Sequence, residues 1–224
     1  MVKGKVSLME FESNPNIGLY MFVNDKFCLL GVNVDDAKKK EIENILNVPV
    51  HIVTVLGTEL VGVFVAGNND FLLLPDMSEH ELEKIRKIGE DAKMKVIVLN
   101  DKLNTIGNNI CVGDKIILVN NDYTATLINT LKDETGYEIV KFKNPEFKAA
   151  GALIIHNNGK YFVSQEVNES EVKPILDKIA SVGTVNKGGC FVASGVVGNS
   201  SGLILGSACS TVEIQNIVEA FDFV

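Results

Sequence analysis

Four cysteines and three histidines are the thiols and imidazoles that could converge as nucleophile and base or as soft metal ligands. Cys28, Cys111, Cys190 and Cys209 form no C-x-x-C pair, so neither a zinc ribbon nor a dithiol redox motif is written in the chain. Cys190 and Cys209 are the candidate nucleophiles of the C-terminal region, and such a role needs a neighbouring base and an orienting third group. The nearest histidine in sequence, His156, stands well upstream of both and has no recognisable acidic companion motif. His51 falls in a β-branched segment, His80 at a helix start and His156 before a turn, so convergence on a metal is not expected. No catalytic residue, metal site or cofactor is assigned. The run Lys38-Lys39-Lys40 lies beside Glu41 and Glu43 and reads as a solvated helix face.

These side chains ride on a frame that repeats. Gly18, Gly62, Gly107, Gly151 and Gly195 are spaced 44, 45, 44 and 44 residues apart. Each is followed by an apolar run, a polar turn and a second apolar run. The turns read Asn24-Asp25, Asn68-Asn69-Asp70, Gly113-Asp114, Asn157-Asn158-Gly159 and Ser200-Ser201-Gly202. Asn-Gly and Asn-Asp pairs favour positive φ, so each unit predicts a β-hairpin. Apolar residues at helical spacing come next: Ile42, Ile45 and Leu46; Leu82, Ile85 and Ile88; Leu127 and Leu131; Val172, Ile175, Leu176 and Ile179; Ile214, Ile217, Val218 and Phe221. Ser78 with Glu81 and Ser210 with Glu213 have capping-box spacing. A short β-branched strand follows each of the first four helices, at 51–55, 95–98, 138–140 and 181–185.

The fifth helical pattern runs almost to Val224 and leaves no room for a strand of its own. Lys5 to Phe11 supplies one at the other end, preceding Gly18 by the interval at which the other post-helix strands precede their glycines. A linear stack would need polar terminal caps, so a closed ring is expected, with the N-terminal strand completing the fifth unit. The predicted architecture is α+β: one domain over 1–224, a five-bladed α-β propeller of quasi-identical repeats of about 44 residues. The repeat glycines are expected to permit positive φ or close strand approach near the axis. The residues after them, Leu19, Val63, Asn108, Ala152 and Val196, should share one level of the ring. Asn108 is the polar member, which makes it a contact candidate.

The chain is 46% hydrophobic with mean hydropathy +0.18, ample for a large core. Its most apolar window, 52–67, contains Glu59 and repeated Val and Gly, and reads as two buried strands rather than a membrane span. The stretch Met1 to Lys5 lacks the apolar core of a signal peptide, so a cytoplasmic location is expected. The formal net charge is −8, and of 21 basic residues only Arg86 is arginine. That disfavours extensive nucleic-acid readout and suits steering toward a basic protein partner.

Asn16-Ile17-Gly18, Val48-Pro49-Val50-His51, Leu72-Leu73-Leu74-Pro75, the stretch Leu103-Asn104-Thr105-Ile106-Gly107-Asn108, the stretch Gly183-Thr184-Val185-Asn186-Lys187-Gly188 and Ser210-Thr211-Val212-Glu213 occur in order and in phase with the repeat. Through them the chain resembles the translation initiation factor 6 family, in its archaeal form, over nearly its whole length. The resemblance implies the pentein fold and a monomeric cytoplasmic anti-association factor. Such a factor binds the large ribosomal subunit and blocks the small one by steric occlusion, without catalysis. It implies contacts with ribosomal protein L14 and a neighbouring ribosomal protein, with limited rRNA contact at the sarcin-ricin loop and no DNA or membrane partner. Asn14, Asn16, Asn108, Asn109, Asn186 and Lys187 are the ribosome-contact candidates in the resembling region. Two alternatives stay open. Penteins include guanidine-modifying enzymes with a nucleophilic cysteine, and a repeat ring can also serve as an interaction scaffold.

Overall fold

The computed structural model describes residues 4–223 apart from Pro145 and Asp177. Met1 to Lys3, in the stretch without a signal-peptide core, and Val224, at the end of the fifth helical pattern, lie outside the described residues.

Strand β1 (Lys5–Met9) precedes blade one, which comprises a 3-10 turn (Ile17–Leu19), β2 (Met21–Val23), β3 (Cys28–Leu30), α1 (Asp36–Leu46) and β4 (Val50–Ile52). Blade two is α2 (Val61–Phe64), β5 (Ala66–Gly67), β6 (Phe71–Pro75), α3 (Glu79–Asp91) and β7 (Lys95–Leu99). Blade three is α4 (Ile106–Asn109), β8 (Ile110–Val112), β9 (Ile116–Asn120), α5 (Ala125–Thr135) and β10 (Glu138–Phe142). Blade four is α6 (Ala150–Leu153), β11 (Ile154–Asn157), β12 (Lys160–Ser164), α7 (Glu169–Val172) and β13 (Ile179–Gly183). Blade five has α8 (Val192–Gly195), β14 (Val196–Gly198), β15 (Gly202–Gly206) and α9 (Thr211–Ala220).

In every sheet the hairpin is antiparallel and the strand after the helix joins it in parallel. Blade five takes its third strand from the opposite end of the chain. There β1 runs parallel to β15, with Lys5 opposite Gly202 and Met9 opposite Gly206. Apolar packing sits in five clusters, each spanning two consecutive blades; Met9, Phe11 and Ile204 meet Met21, Leu30, Ile42 and Ile45 at the seam between blades five and one. The helices start where a side chain can accept orphaned backbone N–H groups. The Lys38 N–H donates to Asp35 at 2.7 Å, and α9 has a full capping box between Ser210 and Glu213. At Ser78 the reciprocal box does not form: its hydroxyl donates to Glu81, whose other oxygen accepts from Thr54 and from the Gly57 N–H.

The repeat glycines sit in the short helical turns nearest the axis, and none of the five has a positive φ. Close approach explains four of them. A Cβ on Gly62 would lie 1.9 Å from the Gly18 carbonyl oxygen, and one on Gly107 would lie 2.1 Å from that of Gly62. Gly151 repeats the contact against Gly107, and Gly18 against the Ala193 carbonyl. The fifth place in this ring belongs to Ala193, not Gly195. Both Ala193 and Gly151 are the second residue of their short helix and stand three residues before the following strand. At the level of Leu19, Val63, Asn108 and Ala152 the fifth residue is therefore Ser194, while Val196 opens β14.

Three further expectations change. The fourth helix pattern yields only the single turn α7, because Pro174 has no N–H to continue the ladder, and Ile179 opens β13. That strand runs 179–183 instead of 181–185. The window 52–67 holds a strand end, a loop, the turn α2 and the short strand β5 rather than two long strands. No helix of the described residues is long and apolar enough to cross a membrane.

Candidate functional site

The first strand of each blade lines an axial channel with two unlike mouths. At the hairpin-turn end the side chains are polar. Asn24, Asn68, Asn157 and Asn199 each stand six residues after the axial position of their blade, so the fifth turn begins at Asn199. The amide of Asn157 donates to the Asn199 carbonyl at 3.2 Å, that of Asn199 to the Asn24 carbonyl at 3.0 Å, and that of Asn24 to the Asn68 carbonyl at 3.0 Å. The side-chain oxygens of Asn24 and Asn199 accept N–H groups of their own turns. These asparagines therefore close turns and tie blades together. Gly113 interrupts the chain of contacts, and Asn68 donates to the Tyr137 hydroxyl instead.

Near that gap His156 Nε2 lies 3.3 Å from Asp114. Burial pushes the imidazole below its ordinary value, and the Asp114 carboxylate works partly against this. Asp25 is held below the usual carboxylate range because hydrogen bonds from Ser200 and Asn69 outweigh the opposing effect of burial. Among the described residues no three His, Cys, Asp or Glu side chains converge as a metal site.

The short-helix end is different. Asn16, Leu19, Asn108, Ala149, Ala152, Phe191 and Ser194 surround a shallow depression of about 430 Å³. Phe191 is 44% exposed and packs edge-to-face on Phe147, with ring centroids 5.6 Å apart. An aromatic ring held open to solvent beside amides is a strong anchor type for a protein interface.

Three of the six sequence candidates meet at one seam of this rim. Asn16 Oδ1 accepts from Asn186 Nδ2 and from the Ser194 hydroxyl, each at 3.1 Å, and Asn186 Nδ2 also reaches the Pro15 carbonyl. Asn14 Oδ1 accepts from both nitrogens of Asn16 at 3.0 Å. Asn108 lines the same depression from blade three. Asn186, Lys187 and Gly188 all have left-handed φ, so successive N–H groups converge into an anion nest. Glu213 fills it, accepting from the Lys187 and Gly188 N–H groups, Thr184 and Ser210. Burial opposes its ionisation, yet these donors together lower its pKa to about 2. The Lys187 side chain is exposed. Asn109 is only 6% exposed; it donates to the Thr105 carbonyl and hydroxyl and accepts from Asn120 at 2.6 Å. It is committed inside the blade and offers no polar atom to the rim.

Phe191 and Ser194 were not among the sequence candidates. Ser194 was hidden by the two-residue offset of Gly195, and Phe191 lies just before the segment that this offset placed out of register. Cys209, a candidate nucleophile, is buried; its sulfur accepts from the Asn186 N–H at 3.2 Å, and burial, followed by the nearby Glu213 charge, pushes the thiol up. Cys111 lies on the channel wall, its thiol pushed up to about 12 by burial.

Five units around an axial channel, each a hairpin, a crossover helix or turn, and a parallel third strand, define the α-β propeller or pentein class. The backbone is similar to that of a crystallised dimethylarginine dimethylaminohydrolase, with a TM-score of 0.53 over 80% of this chain and 69% of that one, at 9% identity. That likeness speaks to fold alone. The eIF-6 family model matches residues 6–220, and the chain belongs to the eIF-6 family. It is 30% identical to translation initiation factor 6 of Sulfolobus acidocaldarius, covering 99% of each chain. To the factors of Picrophilus torridus and Thermococcus onnurineus it is 28% identical, covering 97% of this chain and 98% of each relative.

Proposed function

We propose that this chain acts in translation by binding the large ribosomal subunit on its joining face, so that the small subunit cannot dock. The family match over 6–220 carries the reading. The mechanism is steric occlusion by a preformed ring, and no bond is made or broken. Cys209 fits that view, since its thiol is buried against Asn186 and held protonated rather than activated. The rim of the short-helix mouth, with Phe191, Asn108, Ser194 and the Asn14, Asn16 and Asn186 network, is our contact surface, and the exposed ammonium of Lys187 extends it. The buried Asn109 supports that rim from behind.

We assign ribosomal protein L14 and a neighbouring ribosomal protein as the main contacts, with the sarcin-ricin loop touched marginally. A net charge of −8 favours basic ribosomal proteins over bare rRNA. The factor works as a cytoplasmic monomer whose 1–224 chain acts as one domain. A stable complex of this kind buries at least about 1,000 Å² in total, more than the depression alone provides.

Sedimentation of purified subunits with increasing factor tests the proposal. Co-migration with the large subunit and loss of the joined-ribosome peak are expected; a factor that stays at the top of the gradient, or rides with the small subunit, refutes it.

A further inference from the structure

Four seams of the ring are covered by a long helix of the following blade. At these seams Lys5 on β1 donates to the Asn44 carbonyl of α1, Thr54 after β4 to Glu81 of α3, Lys95 on β7 to the Glu134 carbonyl of α5, and Ser181 on β13 to Asn216 of α9. Those helices are 11, 13, 11 and 10 residues long. The seam between blades three and four is the exception. Its helix α7 has 4 residues, and the connection 165–178 has 14 where 31–49, 76–94 and 121–137 have 19, 19 and 17. Over β10 this leaves an apolar groove of about 700 Å³ lined by Val140, Phe142, Val172, Pro174 and Ile175. A second hollow of about 580 Å³ continues it past the same Val140, Pro174 and Ile175 to Ile116 and Tyr161.

The border of this groove has the opposite sign to the molecule. Among the described residues, Lys115, Lys141, Lys143, Lys148 and Lys178 line it against two carboxylates, Asp114 and Glu138, on a chain whose net charge is −8. Lys141 is engaged by the Asn121 and Tyr123 carbonyls, and Lys148 by Asp122. Lys115, Lys143 and Lys178 are exposed and make no ion pair among the described residues. The covered seams show what fits such a strand: the helix over β4 buries Leu82, Ile85 and Ile88, an apolar stripe at i, i+3 and i+6.

We infer that the groove between β10 and the truncated helix α7 docks an acidic amphipathic helix of a partner protein, which supplies the missing fifth outer helix. Apolar residues at i, i+3 or i+4, and i+7 enter over Val140 and Ile175, and flanking carboxylates pair with Lys143 and Lys178. The groove shares no lining residue with the short-helix mouth, so this partner is expected to bind without displacing the ring from the large subunit.

The test uses the intact chain and a fluorescein-labelled, stapled helical peptide of about three turns, with leucines at i, i+3 and i+7 and glutamates on both flanks. Fluorescence polarisation is expected to show saturable binding that weakens about tenfold in the double variant Lys143→Glu/Lys178→Glu. A scrambled peptide of the same composition should not bind. These lysines are exposed, so the variant should keep the parent urea midpoint and its co-sedimentation with large subunits. The inference is overturned by equal binding of the scrambled peptide, by indifference to the double charge reversal, by tighter binding of a labelled single-stranded RNA, or by self-association that the peptide cannot displace. Loss of large-subunit binding in the same variant also overturns it, because the groove would then belong to the ribosome-facing surface.

Discussion

Asn108 and Asn109 are sequence neighbours that point to different work. Asn108 lines the short-helix mouth, whereas Asn109 is buried with its donors and acceptor all engaged. Replacing Asn108 with Phe is therefore expected to leave the melting temperature close to that of the parent while weakening co-sedimentation with the large subunit. Asn109→Ala should do the reverse. It strands the buried Asn120 amide and should lower stability by about 2 kcal/mol, read from urea unfolding, with binding per folded molecule unchanged. Glu213 acts at the same scale but through pH. Its pKa falls from an ordinary 4.5 to about 2 in the folded protein, so its contribution is fully present above pH 4.5 and is lost as pH falls toward 2. Glu213→Gln should lower the urea midpoint at pH 7 and flatten its dependence on pH over that window; an unchanged slope would mean that other carboxylates govern acid unfolding.

Elements keep the ring in register through contact between backbones. A methyl on Gly107 would sit 2.1 Å from the Gly62 carbonyl oxygen, so Gly107→Ala must push blades two and three apart, and a loss of about 3 kcal/mol is expected. Ala193→Gly, at the fifth place, removes a methyl the ring already accommodates and should cost about 1 kcal/mol or less, chiefly through helix propensity. A loss of only about 1 kcal/mol for Gly107→Ala would show that this close approach does not set the spacing of the blades. The same elements explain what could be read in advance. Helices α1, α3, α5 and α9 were legible because each buries one stripe against a neighbouring sheet, as Leu82, Ile85 and Ile88 do. The fourth pattern misleads because Val172, Ile175 and Leu176 are apolar at helical spacing for a different reason: Val172 closes α7, and Ile175 and Leu176 donate to its carbonyl in the tight turn at Pro174 that folds over the seam. The 44-residue period points to Gly195, but Ala193 holds the fifth axial place and its methyl hides it from a search for glycines, so Ser194 is two residues off the expected register. At the rim, Asn16 and Asn186 were named as candidates, but their direct hydrogen bond joins residues 170 apart in sequence and no local period encodes it.

At the scale of the molecule, one strand decides whether the five blades form a ring or an open arc. Strand β1 pairs along its full length with β15, and Met9 and Phe11 join Ile17, Ile42 and Ile204 in the seam between blades five and one. Removing residues 1–12 would expose the edge of β15 and unroof that cluster, while every other seam keeps its own residues. In a ring whose seams each rely on both neighbouring blades, the loss should spread. The truncated chain is expected to unfold at a much lower urea midpoint and with a broadened transition, rather than fray at one end. A circular permutant separates chain connectivity from this packing. Linking the termini with a short flexible segment and cutting between Asn158 and Gly159 retains β1 against β15, and it opens a turn whose tip, Asn158, is exposed. Asn157 stays upstream of the cut, but its bond to the Asn199 carbonyl is then held by a free end, so a modest loss of stability is expected there. The permutant should unfold in a single transition and still sediment with the large subunit, whereas the truncation should do neither. A truncated chain that melts cooperatively within a few degrees of the parent would show that closure by β1 is dispensable.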